Sequence, residues 1–495
     1  MAFAMADALI GLDLGTTVCK GILVDRQLNI LSRADSSYPL ITRTAEQIEQ
    51  NAGDWWNVSK SIIQRIVAEA ALSRRDIRGI CVSAQGISFV PVNREGAPLR
   101  NALSWLDTRA KEQTDRVLAD FGEKESFSVT GKRVSSVYLL PKLLWLRDSE
   151  PEVYRKAHKI LMAMDFLLAR LCGAFVTDHT MASGTLLYDL HRQDWSAQIL
   201  DRFGLASEKL PEIRWSGSRA GTVSRETADE LGLSPHTAVV VGGQDQKVSA
   251  LGAGIDLERT TICLGTAMAI TQKCTKPVID QAMRIPCFSD LFPGHWVLEG
   301  SGIGTSCLDW FRNTLLPEKA YEELEGMVLQ LDGTENRLYF YPHLAGTSTL
   351  HFGEDLRGFL YGLDFSVTAG RMVKSVFEGI AYQIREQIDL MERISRPVHE
   401  LRLFGGGSKS GIWAQIIADV CAKPVVTFSS PDMGCLGAAI LAGIGAGVFS
   451  SREESANLVR IDRRIEPRDR LQVLYERQYL EYIAIQRRMT AEVAS

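Results

Sequence analysis

The chain lacks the cysteine spacings of a metal or redox site. Its nine cysteines include no C-x-x-C pair and no Cys/His spacing suited to zinc. Several cysteines fall inside apolar segments, where a thiol behaves as a small hydrophobic group. We therefore interpret them as core residues of a protein that folds in a reducing compartment.

Long apolar runs and concentrated positive charge are also missing. The longest apolar run, 436–449, is rich in glycine and too short to span a bilayer. No Lys or Arg precedes Lys20, so the basic region of a signal peptide is absent. The formal net charge is -5 and the basic residues are dispersed, which argues against nucleic-acid binding. These absences predict a cytoplasmic protein with neither a membrane nor a nucleic-acid partner.

The common nucleotide-binding loops are missing too. The sequence contains no G-x-x-x-x-G-K-[ST] motif. Its Gly-Ser-Gly-Ile-Gly run at 300–304 places the third glycine one position early for a dinucleotide loop. Any nucleotide must therefore be held by another arrangement.

The chain does have the size and composition of an ordinary globular protein. With 45% hydrophobic and 23% charged residues over 495 positions, it is too long for one core. Two large domains or three small ones are expected.

Two similar hairpins are predicted, one near the start of each half. Residues 8–14 and 18–24 read as strands around a Gly-Thr-Thr tip, which offers N–H groups and hydroxyls to a phosphate. Asp13 at this turn could hold magnesium through water. Residues 260–264 and 268–271 repeat the pattern around Gly265 and Thr266. This internal echo predicts two related halves with a boundary near residue 250.

Asp245 follows a buried strand directly. The stretch Val239 to Gly254 runs through a β-branched segment, two glycines and the acid, and then continues at helical spacing. A carboxylate at the mouth of a strand is able to take a proton from a substrate hydroxyl. The alternative is a helix N-cap.

Two further motifs carry chemistry. Trp105, Asp107 and Arg109 offer a flat apolar face and charged partners suited to a polyol, or else an amphipathic loop with a buried Trp and a surface ion pair. Gly405-Gly406-Gly407-Ser408 joins a strand to a helix and lets the backbone approach a nucleotide closely, or makes a tight connection. Helices are predicted over 45–69, 366–394 and 431–446, with a loop-rich passage at 346–361 that includes Gly353 and Asp355.

Together these motifs resemble the FGGY carbohydrate kinases of the sugar kinase, Hsp70 and actin superfamily. The resemblance spans Ile10 to Tyr482, and six motifs follow the family's order. It implies an α/β fold of two ribonuclease-H-like (actin-like ATPase) domains with a central interdomain cleft. The sugar would lie mainly on residues 1–250, and ATP mainly on residues 251–495, which include a C-terminal helix.

The resemblance also implies roles for individual residues. Asp245 matches the catalytic base, and it is paired with Asp13 as a site for Mg²⁺. The sugar-binding positions are matched by Gln85, Trp105, Asp107, Arg109, Asp245 and Gln246. The ATP-binding positions are matched by Gly15, Thr16, Thr17, Gly265, Thr266, Gly405, Gly406 and Ser408.

The expected activity is phosphoryl transfer from MgATP to a small sugar or polyol, with a ketopentose or a short polyol as the leading class. Gly86 and Ile87 replace polar residues of relatives that act on xylulose or glycerol, so the sugar contacts there cannot be transferred. Two alternatives are an actin- or Hsp70-like ATPase that controls a partner and a sugar-sensing regulator without catalysis. Whether the chain acts alone or as a homodimer stays open.

Overall fold

The computed structural model describes residues 7–70, 72–346, 349–351, 357–456 and 458–493. The first six residues, on which part of the signal-peptide argument rests, lie outside this range. Gly353 and Asp355 of the loop-rich passage lie outside it as well. Across the described ranges, no helix combines the length and the apolar character needed to cross a bilayer.

The first sheet has six strands, and its central strands are parallel. The predicted hairpin pairs antiparallel within this sheet, with Asp13 opposite Lys20. Asp13 and Gly243 both align with Ser83 on the strand between them, so three strand ends meet at one edge. In spatial order the strands are Arg219–Thr222, Ala238–Gln244, Ile77–Ala84, Ala8–Leu14, Val18–Val24 and Ile30–Ser37.

The second sheet repeats this arrangement with seven strands. Strands Arg259–Leu264 and Ala267–Cys274 form its hairpin. Strand Glu400–Phe404 pairs in parallel with the first strand of that hairpin. In spatial order the strands are Cys287–Ser289, Trp296–Ile303, Ala267–Cys274, Arg259–Leu264, Glu400–Phe404, Val425–Phe428 and Ile461–Ile465. The repeated topology agrees with the expected pair of ribonuclease-H-like domains.

A small five-stranded sheet supports the Trp105 loop. Its strands are Ile41–Thr42, Ile48–Gln50, Ala102–Leu103, Phe89–Val92 and Lys159–Met162.

The helix predicted over 45–69 begins only at Ala52, and Ile48–Gln50 is a strand. The reason is local, because the Asn51 side chain accepts a hydrogen bond from Gly53 N at 2.9 Å and starts the helix there.

The main helices cover both sheets. The helix predicted from residue 366 begins at Ala369, because the Thr368 hydroxyl caps it by accepting from Arg371 N. The helices of six or more residues are Ala52–Ala70, Lys111–Asp120, Glu123–Thr130, Leu139–Ser149, Pro151–Lys156, Ala163–Cys172, Ala197–Phe203, Arg225–Leu231, Asp245–Gly252, Ser306–Leu315, Tyr321–Gln330, Ala369–Ile394, Gly411–Cys421, Met433–Gly445 and Asp469–Val493.

Helix Met433–Gly445 comes from the second half of the chain but packs on the first sheet. Its Leu436 and Ile440 share one buried apolar cluster with Leu9 and Val240. The approach is close, because a Cβ at Gly11 would lie 1.9 Å from the Cys435 carbonyl oxygen. The core of the first sheet therefore depends on residues far beyond position 250. The division at that position stays a prediction.

Candidate active site

A cavity of about 340 Å³ lies between the tips of the two hairpins. Thr16 reaches it from the first hairpin, and Ala267 reaches it from the second. The other lining residues are Gln85, Gly86, Ile87, Trp105, Val137, Tyr138, Thr180, Met181, Gly184, Gln244, Asp245, Gln246, Lys247, Met268, Ala269, Phe288, Glu299 and Ser301. Of the predicted sugar-binding residues, Gln85, Trp105, Asp245 and Gln246 are thus brought together.

Asp245 is the first residue of the helix that leaves the central strand edge. The N-cap is Gln244, which makes no side-chain capping bond. The Asp245 carboxylate accepts from Gln246 N at 2.8 Å and from the Gln244 side-chain amide. These bonds are local, and its cavity side stays open to an incoming hydroxyl.

The environment makes Asp245 a stronger base than an ordinary carboxylate. Burial raises its pKa to about 7, the negative charge of Asp13 adds to the increase, and Lys247 opposes it. Asp245 is half-buried, because one side of the residue faces the cavity. Burial and the neighbouring Asp13 carboxylate both disfavour the charged form of Asp245, so they raise its pKa together. A pKa near neutrality suits a general base.

Asp13 and its surroundings fit a magnesium ion. The carboxylate accepts from Ser83 Oγ at 2.7 Å, and burial raises its pKa. A Cβ at Gly434 would lie 2.6 Å from the Asp13 carboxyl, so only glycine leaves this space free. Among described residues, no cluster of three or more His, Cys, Asp or Glu could hold a metal. Magnesium is commonly held by one or two carboxylates, with waters and phosphate oxygens completing its shell.

Trp105 is fixed between the cavity and the first hairpin. Its indole Nε1 donates to Thr16 Oγ1 at 2.9 Å, and its side chain stays 38% exposed. The loop behind it is held by Lys142, which is fully buried and whose Nζ donates to Ser104 O at 2.6 Å. The exposed ring face is available for packing against the C–H groups of a sugar.

Asp107 and Arg109 lie behind this loop and do not line the cavity. Asp107 is fully buried and accepts from Ile48 N at 2.8 Å and from Arg109 Nε at 2.9 Å. Arg109 also pairs with Glu49 at 3.0 Å, and its guanidinium lies over Trp145. The structure therefore shows neither a surface ion pair nor a buried Trp105. Direct sugar contact by these two residues stays a prediction, and their present contacts fix the loop.

The predicted nucleotide residues of the second half, Gly265, Thr266, Gly405, Gly406 and Ser408, lie together at the second sheet. Gly405 has φ +91°, and a Cβ there would lie 2.8 Å from Leu264 O and 3.1 Å from Gly265 N. The Ser408 hydroxyl donates to Gly405 O at 2.8 Å. Thr266 and Gly406 are exposed, as is Thr17 on the first hairpin. Thus the glycine loop lies against the second hairpin and leaves backbone groups accessible to a ligand.

The segment Gln85-Gly86-Ile87 shapes the cavity in an unexpected way. Ile87 has φ +56°, which is rare for a β-branched residue and costs conformational energy. Ile87 lines the cavity. Gln85 borders it too, but its side chain is 1% exposed and is hydrogen-bonded to Gln50 and Ser88. The strained turn thus presents an apolar group to the ligand.

Three cavity residues that join the two halves, Lys247, Phe288 and Glu299, are not predicted from the sequence. The Lys247 ammonium lies 2.7 Å from a Glu299 carboxylate oxygen and 3.7 Å from the centre of the Phe288 ring. Lys132 lies over the same ring, donates to Cys287 O at 2.9 Å, and has its pKa lowered to about 7 by burial. Only the position of Lys247, two residues after Asp245, could have indicated this cluster.

The structure has two related domains, each with a hairpin whose tip is suited to binding phosphate, and the Asp245 carboxylate lies between the two tips. This arrangement is that of a phosphotransferase with the actin-like ATPase fold. The chain belongs to the FGGY family of carbohydrate kinases, since the family's N-terminal domain matches residues 8–252 and its C-terminal domain matches residues 260–446. It is an ATP-dependent sugar kinase.

Relatives and solved structures agree with this class. A xylulose kinase of Bacillus subtilis (strain 168) is 32% identical over 453 residues, covering 90% of each chain. A gluconate kinase structure from Lactobacillus acidophilus has a TM-score of 0.91 at 26% identity, covering 99% of this chain and 98% of the other. A ligand-bound xylulose kinase from the same organism has a TM-score of 0.91 at 25% identity, covering 98% and 99%.

Proposed function

We propose that the chain phosphorylates a neutral ketopentose, with xylulose as the first candidate, and that Asp245 is the general base. The similarity to the Bacillus subtilis xylulose kinase supports the substrate class. The cavity volume of about 340 Å³ also supports a small acceptor, because ligand pockets range from roughly 300 to 1,000 Å³.

The charged groups that line the cavity favour a neutral sugar over a sugar acid. Among its described lining residues, the carboxyl and amino side chains are those of Asp245, Lys247 and Glu299. Lys247 is already paired with Glu299 at 2.7 Å and is almost fully buried. A sugar acid such as gluconate would therefore bring its carboxylate to two acids and one neutralised cation. Such a carboxylate would pay for desolvation without gaining a partner.

The proposed chemistry follows from the positions of the residues. Asp245 would orient the acceptor hydroxyl and take its proton as the new bond to the γ-phosphorus forms. The two hairpin tips would direct N–H groups at the phosphates. Magnesium, when bound by Asp13 and Asp245, would neutralise phosphate charge. Residues 1–250 would thus supply most of the sugar site, and residues 251–495 most of the ATP site.

ADP release from MgATP tests the substrate. Purified protein is assayed with xylulose, ribulose, gluconate and glycerol, and with no acceptor. Strong stimulation by a ketopentose, weak stimulation by gluconate, and loss of stimulation in Asp245→Asn would support the proposal. A preference for gluconate would contradict the charge argument. ADP release that no acceptor changes would contradict sugar phosphorylation itself.

A further inference from the structure

A closed ring of hydrogen bonds connects the acceptor cavity to the first hairpin. Trp105 Nε1 donates to Thr16 Oγ1 at 2.9 Å, and Gln50 Nε2 donates to Thr16 O at 2.8 Å. Gln85 Nε2 donates to Gln50 Oε1 at 3.1 Å, and Ser88 Oγ donates to Gln85 Oε1 at 3.2 Å. Trp105 N donates to Ser88 Oγ at 2.9 Å and closes the ring.

Tyr38 extends this ring to the other residues of the hairpin tip. Its hydroxyl donates to Gly15 O and lies 3.4 Å from Gln85 Nε2. Its backbone N donates to Thr17 O at 2.9 Å. Three successive carbonyls of the tip, at Gly15, Thr16 and Thr17, are therefore held by this one network.

Fixing these carbonyls also fixes the N–H groups of the tip. A peptide unit is planar and trans, so its N–H points opposite to its C=O. Tyr38 holds the carbonyl of Gly15 and so orients the N–H of Thr16. Gln50 holds the carbonyl of Thr16 and so orients the N–H of Thr17. The two side chains thereby set the direction of the donors that a phosphate would meet.

The network is buried where it joins the two regions. Gln50 and Ser88 are fully buried, Gln85 is 1% exposed and Tyr38 is 6% exposed. A buried network with its partners satisfied is rigid, and a change at one member is passed to its neighbours. Trp105 is its exposed end, and it lines the cavity. A ligand that packs against the indole will hold the Thr16 hydroxyl through the same bond.

We propose that Gln50 and Tyr38 are positioning residues that couple occupancy of the sugar cavity to the orientation of the first phosphate hairpin. The inference rests on the proposed function, because it takes the cavity as the sugar site. Neither residue needs to touch sugar or nucleotide. Binding of the sugar would tighten binding of MgATP, and the reverse, by the same factor.

The test is the affinity for a non-hydrolysable MgATP analogue, measured by calorimetry with and without saturating sugar. The sugar is the one that stimulates ADP release most. Tyr38→Phe and Gln50→Leu should each reduce the sugar-dependent gain in affinity by up to about tenfold, the worth of one buried hydrogen bond. Their KM for sugar should change less than their kcat. Trp105→Phe, which keeps a ring but loses the N–H, should weaken the coupling in the same way.

Tyr482→Phe is the matched control. Tyr482 is fully buried, and its hydroxyl has no hydrogen-bond partner within the described part of the chain. It should keep the wild-type coupling. A purely structural role for Tyr38 and Gln50 would lower Tm while leaving the coupling unchanged, and that result would overturn the inference. Wild-type protein without any coupling would overturn it too. If no sugar stimulates the wild type, the proposed function itself fails.

Discussion

Replacing Asp245 with asparagine should inactivate the protein and also make it more stable. Asparagine keeps the shape of the side chain and the acceptor for Gln246 N, but it cannot carry the charge. The folded wild type must hold that charge next to Asp13 in an enclosed site. Removing the charge should raise the free energy of unfolding, because the folded state no longer holds a buried charge beside Asp13. Removing the base should stop proton transfer.

The size of the effect follows from the pKa. Asp245 titrates at 3.8 when unperturbed and at about 7 in the folded protein, and each pH unit is worth about 1.4 kcal/mol. The full difference is on the order of 4 kcal/mol, which we reduce to ~2 kcal/mol because cavity water screens the charge. Since the folded pKa is raised, the cost is absent below about pH 4, grows up to about pH 7, and is complete above it.

Thermal unfolding at pH 5 and pH 8, together with turnover at pH 8, checks this reasoning. Tm of Asp245→Asn should exceed the wild-type value by about 4–8 °C at pH 8, and the difference should shrink at pH 5. Turnover should fall by orders of magnitude. Asp165→Asn is a control, because burial also raises the pKa of Asp165 to about 7 but outside the cavity. It should gain stability and keep its turnover. If Asp245→Asn retains both wild-type Tm and turnover, Asp245 has only a local structural role in the first turn of its helix, where asparagine can still accept from Gln246 N.

Three further outcomes are expected. In the wild type, kcat/KM for the sugar should fall by about tenfold per pH unit below pH 7, as Asp245 takes up a proton; a flat profile from pH 5.5 to 8.5 would contradict its role as base. Lys247→Met should cost roughly 2–3 kcal/mol in urea unfolding by leaving Glu299 unpaired, and Lys247→Met with Glu299→Gln should recover part of that loss; no recovery would mean that the pair is not the cause. Gly434→Ala should raise the Mg²⁺ concentration for half-maximal activity, because its Cβ meets the Asp13 carboxyl at 2.6 Å; an unchanged Mg²⁺ dependence would place the metal elsewhere.

Local patterns in the sequence were enough to predict both hairpins and the helix after Asp245. Each has strong apolar alternation or spacing and a turn residue at its end. The strand Ile48–Gln50 was missed, because three residues carry no periodic signal and its partners, such as Ala102–Leu103, are distant in sequence. Helix Met433–Gly445 was predicted, but its packing on the first sheet was not. Its own residues are small or apolar on every face, so no single face indicates what the helix packs against.

The position of a site residue was predictable where a local sequence motif determines its place in the backbone. Asp245 and Thr16 stand at strand ends, and local motifs place them at the cavity. Side-chain direction was not predictable. Arg109 turns to Glu49, which lies 60 positions earlier in the chain. The bond between Lys247 and Glu299 spans 52 positions and crosses between the two halves, so neither partner reveals the other in the sequence.

The position of helix Met433–Gly445 has a consequence for synthesis on the ribosome. The first sheet is complete once Gln244 has emerged, but the helix that covers one of its faces is made much later. At 5–20 residues per second, the delay is on the order of 10–40 s. During this time the apolar cluster around Leu9 and Val240 lacks its cover. A nascent chain of this protein should therefore need chaperone protection until its last quarter is translated, and a fragment ending near residue 250 should aggregate.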